Sequence, residues 1–148
     1  MPEALGVLRV LPLLIFMAAC APGPPRPATL DTANDTCRHC RMAVSDRHFA
    51  AQIVAPGEEP LFFDDIGCLR DYAAAHAELL DDAVVFVADH RTAEWVEGRS
   101  AVYTRTRVAT PMASGLMAHR DASSRDQDPS ALGGTDLPAS EILGERPR

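Results

Sequence analysis

The chain has 148 residues, a formal net charge of −7 at neutral pH, and 14 basic residues that are all arginine. That length holds one domain plus tails. The acidic balance excludes nucleic acid as a partner, because a phosphate-binding face needs clustered cations.

Residues 1–19 read as an export signal. Arg9 precedes the apolar run from Val10 to Ala19, which is too short to span a bilayer and ends in small residues. Cys20 comes next, and small residues directly before a cysteine resemble the lipobox of bacterial lipoproteins, here with Met17 where leucine is usual. The expectation is that Cys20 is diacylated, becomes the first residue of the mature chain and anchors it to lipid on the periplasmic side of a bacterial membrane. An ordinary cleaved signal with Cys20 incidental is the alternative. Lipidation would block that sulfur and leave Cys37, Cys40 and Cys68, an odd set for an oxidising compartment. Residues 20–35 are rich in Pro, Ala, Thr and Asp without an apolar period, which predicts an extended tether.

The segment Cys37-Arg38-His39-Cys40-Arg41-Met42 places two thiols, an imidazole and a thioether within six residues. Polarisable sulfur donors favour Cu(I), and a thioether rarely completes a zinc site. Two other chemistries fit the CxxC spacing: a zinc knuckle using Cys37, Cys40, Cys68 and a histidine, and a thiol-disulfide oxidoreductase using Cys37 and Cys40. Covalent haem would need histidine directly after the second cysteine, where Arg41 stands.

Residues 48–55 read as a strand closed by Pro56-Gly57, and residues 60–63 return as a second strand, giving a hairpin. Asp64 or Asp65 then caps a helix whose stripe Ile66, Leu69, Tyr72, Ala73, His76, Leu79 and Leu80 runs to about Leu80. The Asp pair could instead serve a hard metal or act as a base. Cys68 on the first turn is either a small core residue or a ligand, and His76 belongs to the helix face. Residues 83–88 form a buried strand, Glu94 to Glu97 a short element, and residues 100–108 another strand, with Trp95 and Tyr103 supplying aromatic core. A strand–strand–helix order would thus recur, first in residues 48–80 and again in 84–120.

The loop from Thr110 to Gly115 carries Met112 beside proline, a candidate second thioether donor or a core residue. Met117 and His119 open a predicted short helix and rank below Met112 as ligands. From Asp121 to the end the chain is polar and broken by Gly and Pro, which predicts a disordered tail docked at most by Ile142 and Leu143. The folded domain is therefore expected to span residues 36–120.

Taken in order, the lipobox-like Cys20, Cys37-x-x-Cys40-x-Met42, Phe63-Asp64-Asp65-Ile66-Gly67, the segment from Asp89 to Trp95 and Thr110-Pro111-Met112 resemble the NosL family of nitrous oxide reductase accessory lipoproteins. The resemblance implies a small α+β domain of two ββα (treble-clef-like) units. It also implies a lipid-anchored periplasmic Cu(I) chaperone, not an enzyme, that serves maturation of the copper centres of nitrous oxide reductase together with a membrane ABC-type assembly complex. Carried over by position, the Cys-x-Met pair falls on Cys40 and Met42 and the loop thioether on Met112, with Cys37 or His39 auxiliary. Two departures stand out: Arg41 and Ala113 occupy positions where the family commonly has glycine.

Overall fold

The structure is a computed structural model that describes Met1 and residues 23–145; the expected export signal and Cys20 lie outside the described residues. Among the described residues, seven strands form two antiparallel sheets. The first, in the order β2-β1-β3-β4, contains β1 (Ala51–Val54), β2 (Leu61–Phe63), β3 (Val84–Ala88) and β4 (Trp95–Glu97). The second, in the order β6-β5-β7, contains β5 (Val102–Arg105), β6 (Leu116–His119) and β7 (Thr135–Leu137). Helix α1 (Ile66–Ala75) packs on β1, β2 and β6, so its apolar side joins the two sheets through Phe63, Ile66, Leu69, Val87, Tyr103 and Leu116, all buried. Among the described residues no helix is long and apolar enough to cross a membrane.

The predicted hairpin, the buried strand at 84–88 and the helix starting after Asp65 are all present. The helix ends at Ala75, earlier than its stripe suggested. His76 leaves the helical region with φ −137°, and residues 77–80 form a 3₁₀ turn that redirects the chain toward β3.

Three expectations are corrected. The proposed tether joins the domain from Ala28 onward: Leu30 is fully buried, and the Gln52 side chain accepts from the Ala28 amide at 2.8 Å and donates to its carbonyl at 3.2 Å. A buried glutamine in a central strand thus holds the incoming chain as a neighbouring strand would. Met117 and His119 lie on β6 and not on a helix. Leu116 to His119 are all buried, and a short apolar run carries no period that separates helix from strand. Gly115 decides it. Its φ of +66° turns the chain, and a Cβ there would meet the Thr106 carbonyl at 2.7 Å.

The predicted disordered tail is folded as far as residue 145. It forms α2 (Ala122–Asp126), a 3₁₀ turn at 129–131, β7 paired on β5, and α3 (Ala139–Leu143) packed on α1. Asp121 and Asp128 cap the first two of these by accepting backbone amides, and Arg99 donates to the carbonyls of Leu143 and Gly144. Ile142 and Leu143 do dock, with 2% and 3% exposure.

The ββα order does recur, but in residues 102–126, one hairpin later than expected. The strand registers of the two units match over three residue pairs, 51–53 with 61–63 and 102–104 with 117–119. Ala51 pairs with Phe63 and Gln52 with Phe62, as Val102 pairs with His119 and Tyr103 with Ala118. A tight loop precedes each unit: the Cys37 amide donates to Met42 O and the Arg41 amide to Cys37 O, just as the Asp89 amide donates to Glu94 O and the Ala93 amide to Asp89 O. Arg38 N then bonds Phe62 O where His90 N bonds Ala118 O, and Asp65 and Asp121 cap the two helices.

Truncation of a buried side chain in the last helix separates a docked tail from a loose one. Ile142→Ala should lower the unfolding free energy by about 2–4 kcal/mol in urea titration, whereas a side chain on a disordered tail would leave the midpoint unmoved.

Candidate metal centre

The CRHCRM segment forms a knuckle with its thiols turned inward. Cys37 is fully buried, Cys40 half-buried, and His39, Arg41 and Met42 face solvent. The hairpin brings Phe63 and Asp64 back beneath it, and the first turn of α1 adds Cys68. One ligand atom from each of Cys37, Cys40, Asp64 and Cys68 lies within 4.8 Å of the others. All three thiols are free. The Cys40 Sγ donates to the Asp64 carboxylate at 3.4 and 3.5 Å.

Burial governs the ionisation of the inner thiols. It pushes Cys37 up to about 11, with the Asp64 hydrogen bond adding to the rise and backbone hydrogen bonds opposing it. Burial raises Cys68 further, reinforced by the negative charge available to Cys37 and Asp64. Both are therefore neutral thiols at pH 7 until a cation displaces the protons.

Of the two carboxylates, Asp65 is the cap and Asp64 faces the sulfurs. Asp65 Oδ1 accepts from the Gly67 amide at 2.6 Å, while Oδ2 accepts from the Thr110 hydroxyl at 2.7 Å and from the Met112 amide at 2.9 Å. The helix cap thus also holds the methionine loop. Gly67 permits this approach, since a Cβ there would lie 2.6 Å from the Ser114 Cβ. Met42 and Met112 are 55% and 40% exposed, so neither is a core residue.

The sequence-derived ligand candidates therefore fall into two sets. Cys37 and Cys40 join Cys68 and Asp64 in the buried cluster, whereas Met42 on the knuckle and Met112 on the loop held by Asp65 are exposed thioethers. His39 is not part of the cluster. Asp64 was legible only as a cap, a hard-metal residue or a base, and Cys68 as core or ligand. Their positions, just after a returning strand and on the first helical turn beyond it, carry the signal that a knuckle–hairpin–helix unit converges there.

A second group, His90, His119 and Asp128, is a hydrogen-bonded bridge. Asp128 Oδ2 accepts from His90 Nδ1 at 2.6 Å and from His119 Nε2 at 2.9 Å. Burial alone would raise the Asp128 carboxyl, but these bonds and the Ser130 amide hold it well below the carboxylate range. With Nε2 directed at Asp128, His119 Nδ1 is left buried without a partner among the described residues.

Residues 27–131 match the NosL family. The chain belongs to that family. The fold is similar to that in the crystal structure of the copper chaperone NosL from Shewanella denitrificans, with a TM-score of 0.61 at 16% identity over 80% of this chain and 97% of that one. No curated protein matches the sequence. The resemblance drawn from the CRHCRM, FDDIG and TPM motifs is borne out, as is the small α+β fold.

Arg41 and Ala113 have φ of +68° and +56°. The left-handed region disfavours both side chains. Arg41→Gly and Ala113→Gly should each raise stability by about 0.5–1 kcal/mol in thermal or chemical unfolding; a loss of stability would show that the side chains contribute more than the strain costs.

Proposed function

We propose that this chain is a Cu(I)-binding chaperone that takes up and hands over copper by ligand exchange, without catalysis. One observation carries the reading: three thiols and a carboxylate, all buried but the half-buried Cys40, converge under a knuckle whose exposed face presents Met42, while the cap of the same helix holds the loop of Met112. Soft sulfur donors suit Cu(I), and exposed thioethers offer weak, replaceable ligands through which an ion can pass to a partner without being released to water. Family membership supports the same reading. The recipient would be nitrous oxide reductase, reached together with a membrane ABC-type assembly complex, and acylated Cys20 would hold the chaperone on the periplasmic side of the membrane.

The oxidoreductase alternative is disfavoured by the site's chemistry. A redox nucleophile needs access and a lowered pKa, and Cys37 is buried and raised. Zinc is the second reading, because Cys37, Cys40, Cys68 and Asp64 also make a closed four-donor set.

Anaerobic competition titration decides between them. The reduced protein should bind one Cu(I) far more tightly than Zn(II). Cys40→Ser should abolish tight binding, and Met112→Leu should weaken it while leaving the fold intact, because leucine keeps the volume and removes the sulfur. Tight Zn(II) binding whose reversal unfolds the chain would instead favour a structural staple.

The same titration should depend on pH. Ligation requires thiolates, and Cys37 is protonated below about 11. The apparent affinity should therefore rise as pH rises through neutrality, by about tenfold per unit for each thiol proton displaced. A flat profile would mean that no buried thiol is engaged.

A further inference from the structure

The two ββα units share a backbone but close differently. In the second unit the Asp89 carboxylate sits where knuckle meets helix. Its Oδ1 accepts from the Arg91 and Thr92 amides at 3.0 Å each, and its Oδ2 accepts from the Arg120 amide at 2.9 Å and the Ser124 hydroxyl at 2.6 Å. One buried carboxylate therefore ties the knuckle to the end of β6 and the first turn of α2. The matched registers place Cys37 where Asp89 stands, Cys40 where Thr92 stands, Asp64 where Arg120 stands, and Cys68 where Ser124 stands.

A thiol is a weak hydrogen-bond donor and a weaker acceptor, so Cys37 cannot gather four donors as Asp89 does. What the four residues of the first unit share is affinity for a cation. Their donor atoms come from the same three places that Asp89 joins: knuckle, strand end and helix turn.

We propose that Cys68 is a copper ligand, and that an ion held by Cys37, Cys40 and Cys68 closes the first unit as the Asp89 carboxylate closes the second. This rests on the Cu(I) reading above and adds to it a retention site beneath the exposed thioethers. As each Cu–S bond forms, the thiol proton passes to solvent, and copper stays Cu(I). Loading stiffens the knuckle and the first turn of α1, and stepwise replacement of the inner thiolates by outer donors loosens them. The face that meets the acceptor is thereby ordered only when cargo is present.

Hydrogen exchange with and without one equivalent of Cu(I) tests this. Amides in 37–42 and 66–70 should exchange at least tenfold more slowly in the loaded protein, while those in 89–94 and 121–126 stay unchanged. Cys68→Ser, which installs the residue found at the matching Ser124 position, should still bind Cu(I) but lose that protection and release copper faster to a competing chelator. Wild-type protein that binds Cu(I) without protection in 66–70 overturns the proposal, and that arm needs no variant. So does Cys68→Ser that behaves as wild type in protection and release. Wild-type protein that binds no Cu(I) overturns the chaperone reading itself. Asp89→Asn should speed exchange in 89–94 whether or not copper is present; unchanged exchange there would remove the premise that Asp89 is the second unit's clasp.

Discussion

Everything at the candidate centre hangs on two adjacent carboxylates at the start of one helix. Asp65 is buried, caps α1, and holds the Thr110 hydroxyl and Met112 amide of a hairpin loop that belongs to the other sheet. Asp64, one residue earlier, points to the opposite side and faces the thiols of the knuckle. Because successive residues entering a helix project in different directions, one tandem pair can fasten both halves of the molecule to a single helix N-terminus. The dipole there favours the two negative groups.

The repeat explains how a small domain divides stability from function. Both units use the same loop, hairpin and cap, yet the second is closed by groups that need no ligand: Asp89 across its knuckle and Asp128 across His90 and His119. Burial opposes the ionisation of Asp89, but four hydrogen bonds outweigh it and draw the carboxyl down to about 2. A depressed carboxyl stabilises the fold above its unfolded value near 3.8 and loses that contribution as pH falls toward 2, a span worth about 2 kcal/mol. At neutral pH the second unit is therefore clasped by an ionised carboxylate. The first carries neutral, buried thiols at the matching positions, which contribute little to closure and leave the site able to accept an ion.

Much of this was legible in the sequence where local chemistry is strong. Pro56-Gly57 between two apolar runs marks the first hairpin, Asp65 before Ile66 marks the helix start, and CxxCxM marks the sulfur site. The later elements were hidden for physical reasons. Residues 122–143 form elements of three to five residues, none burying more than two side chains, so no period develops, and their stability comes from caps and from docking on α1 and β5. Leu116 to His119 is a strand only because Gly115 turns the chain onto β5. The cluster itself was half legible. Cys37 and Cys40 are three positions apart in sequence, but Asp64 and Cys68 join them only through the return of the hairpin, a contact between segments some two dozen residues apart. The match between the knuckles at 37–42 and 89–94 has almost no trace in side chains and is carried by backbone hydrogen bonds and by the positive φ of Arg41 and Ala93.

X-ray absorption at the copper edge of the Cu(I)-loaded protein tests the central claim, that sulfur from this cluster and its neighbouring methionines holds the ion, most directly. The first shell should be made of sulfur alone, with no imidazole in the outer scattering and the thiolate contribution reduced in Cys68→Ser, which still binds the ion. A shell of nitrogen donors with strong imidazole scattering would contradict it and move the copper site to the histidines.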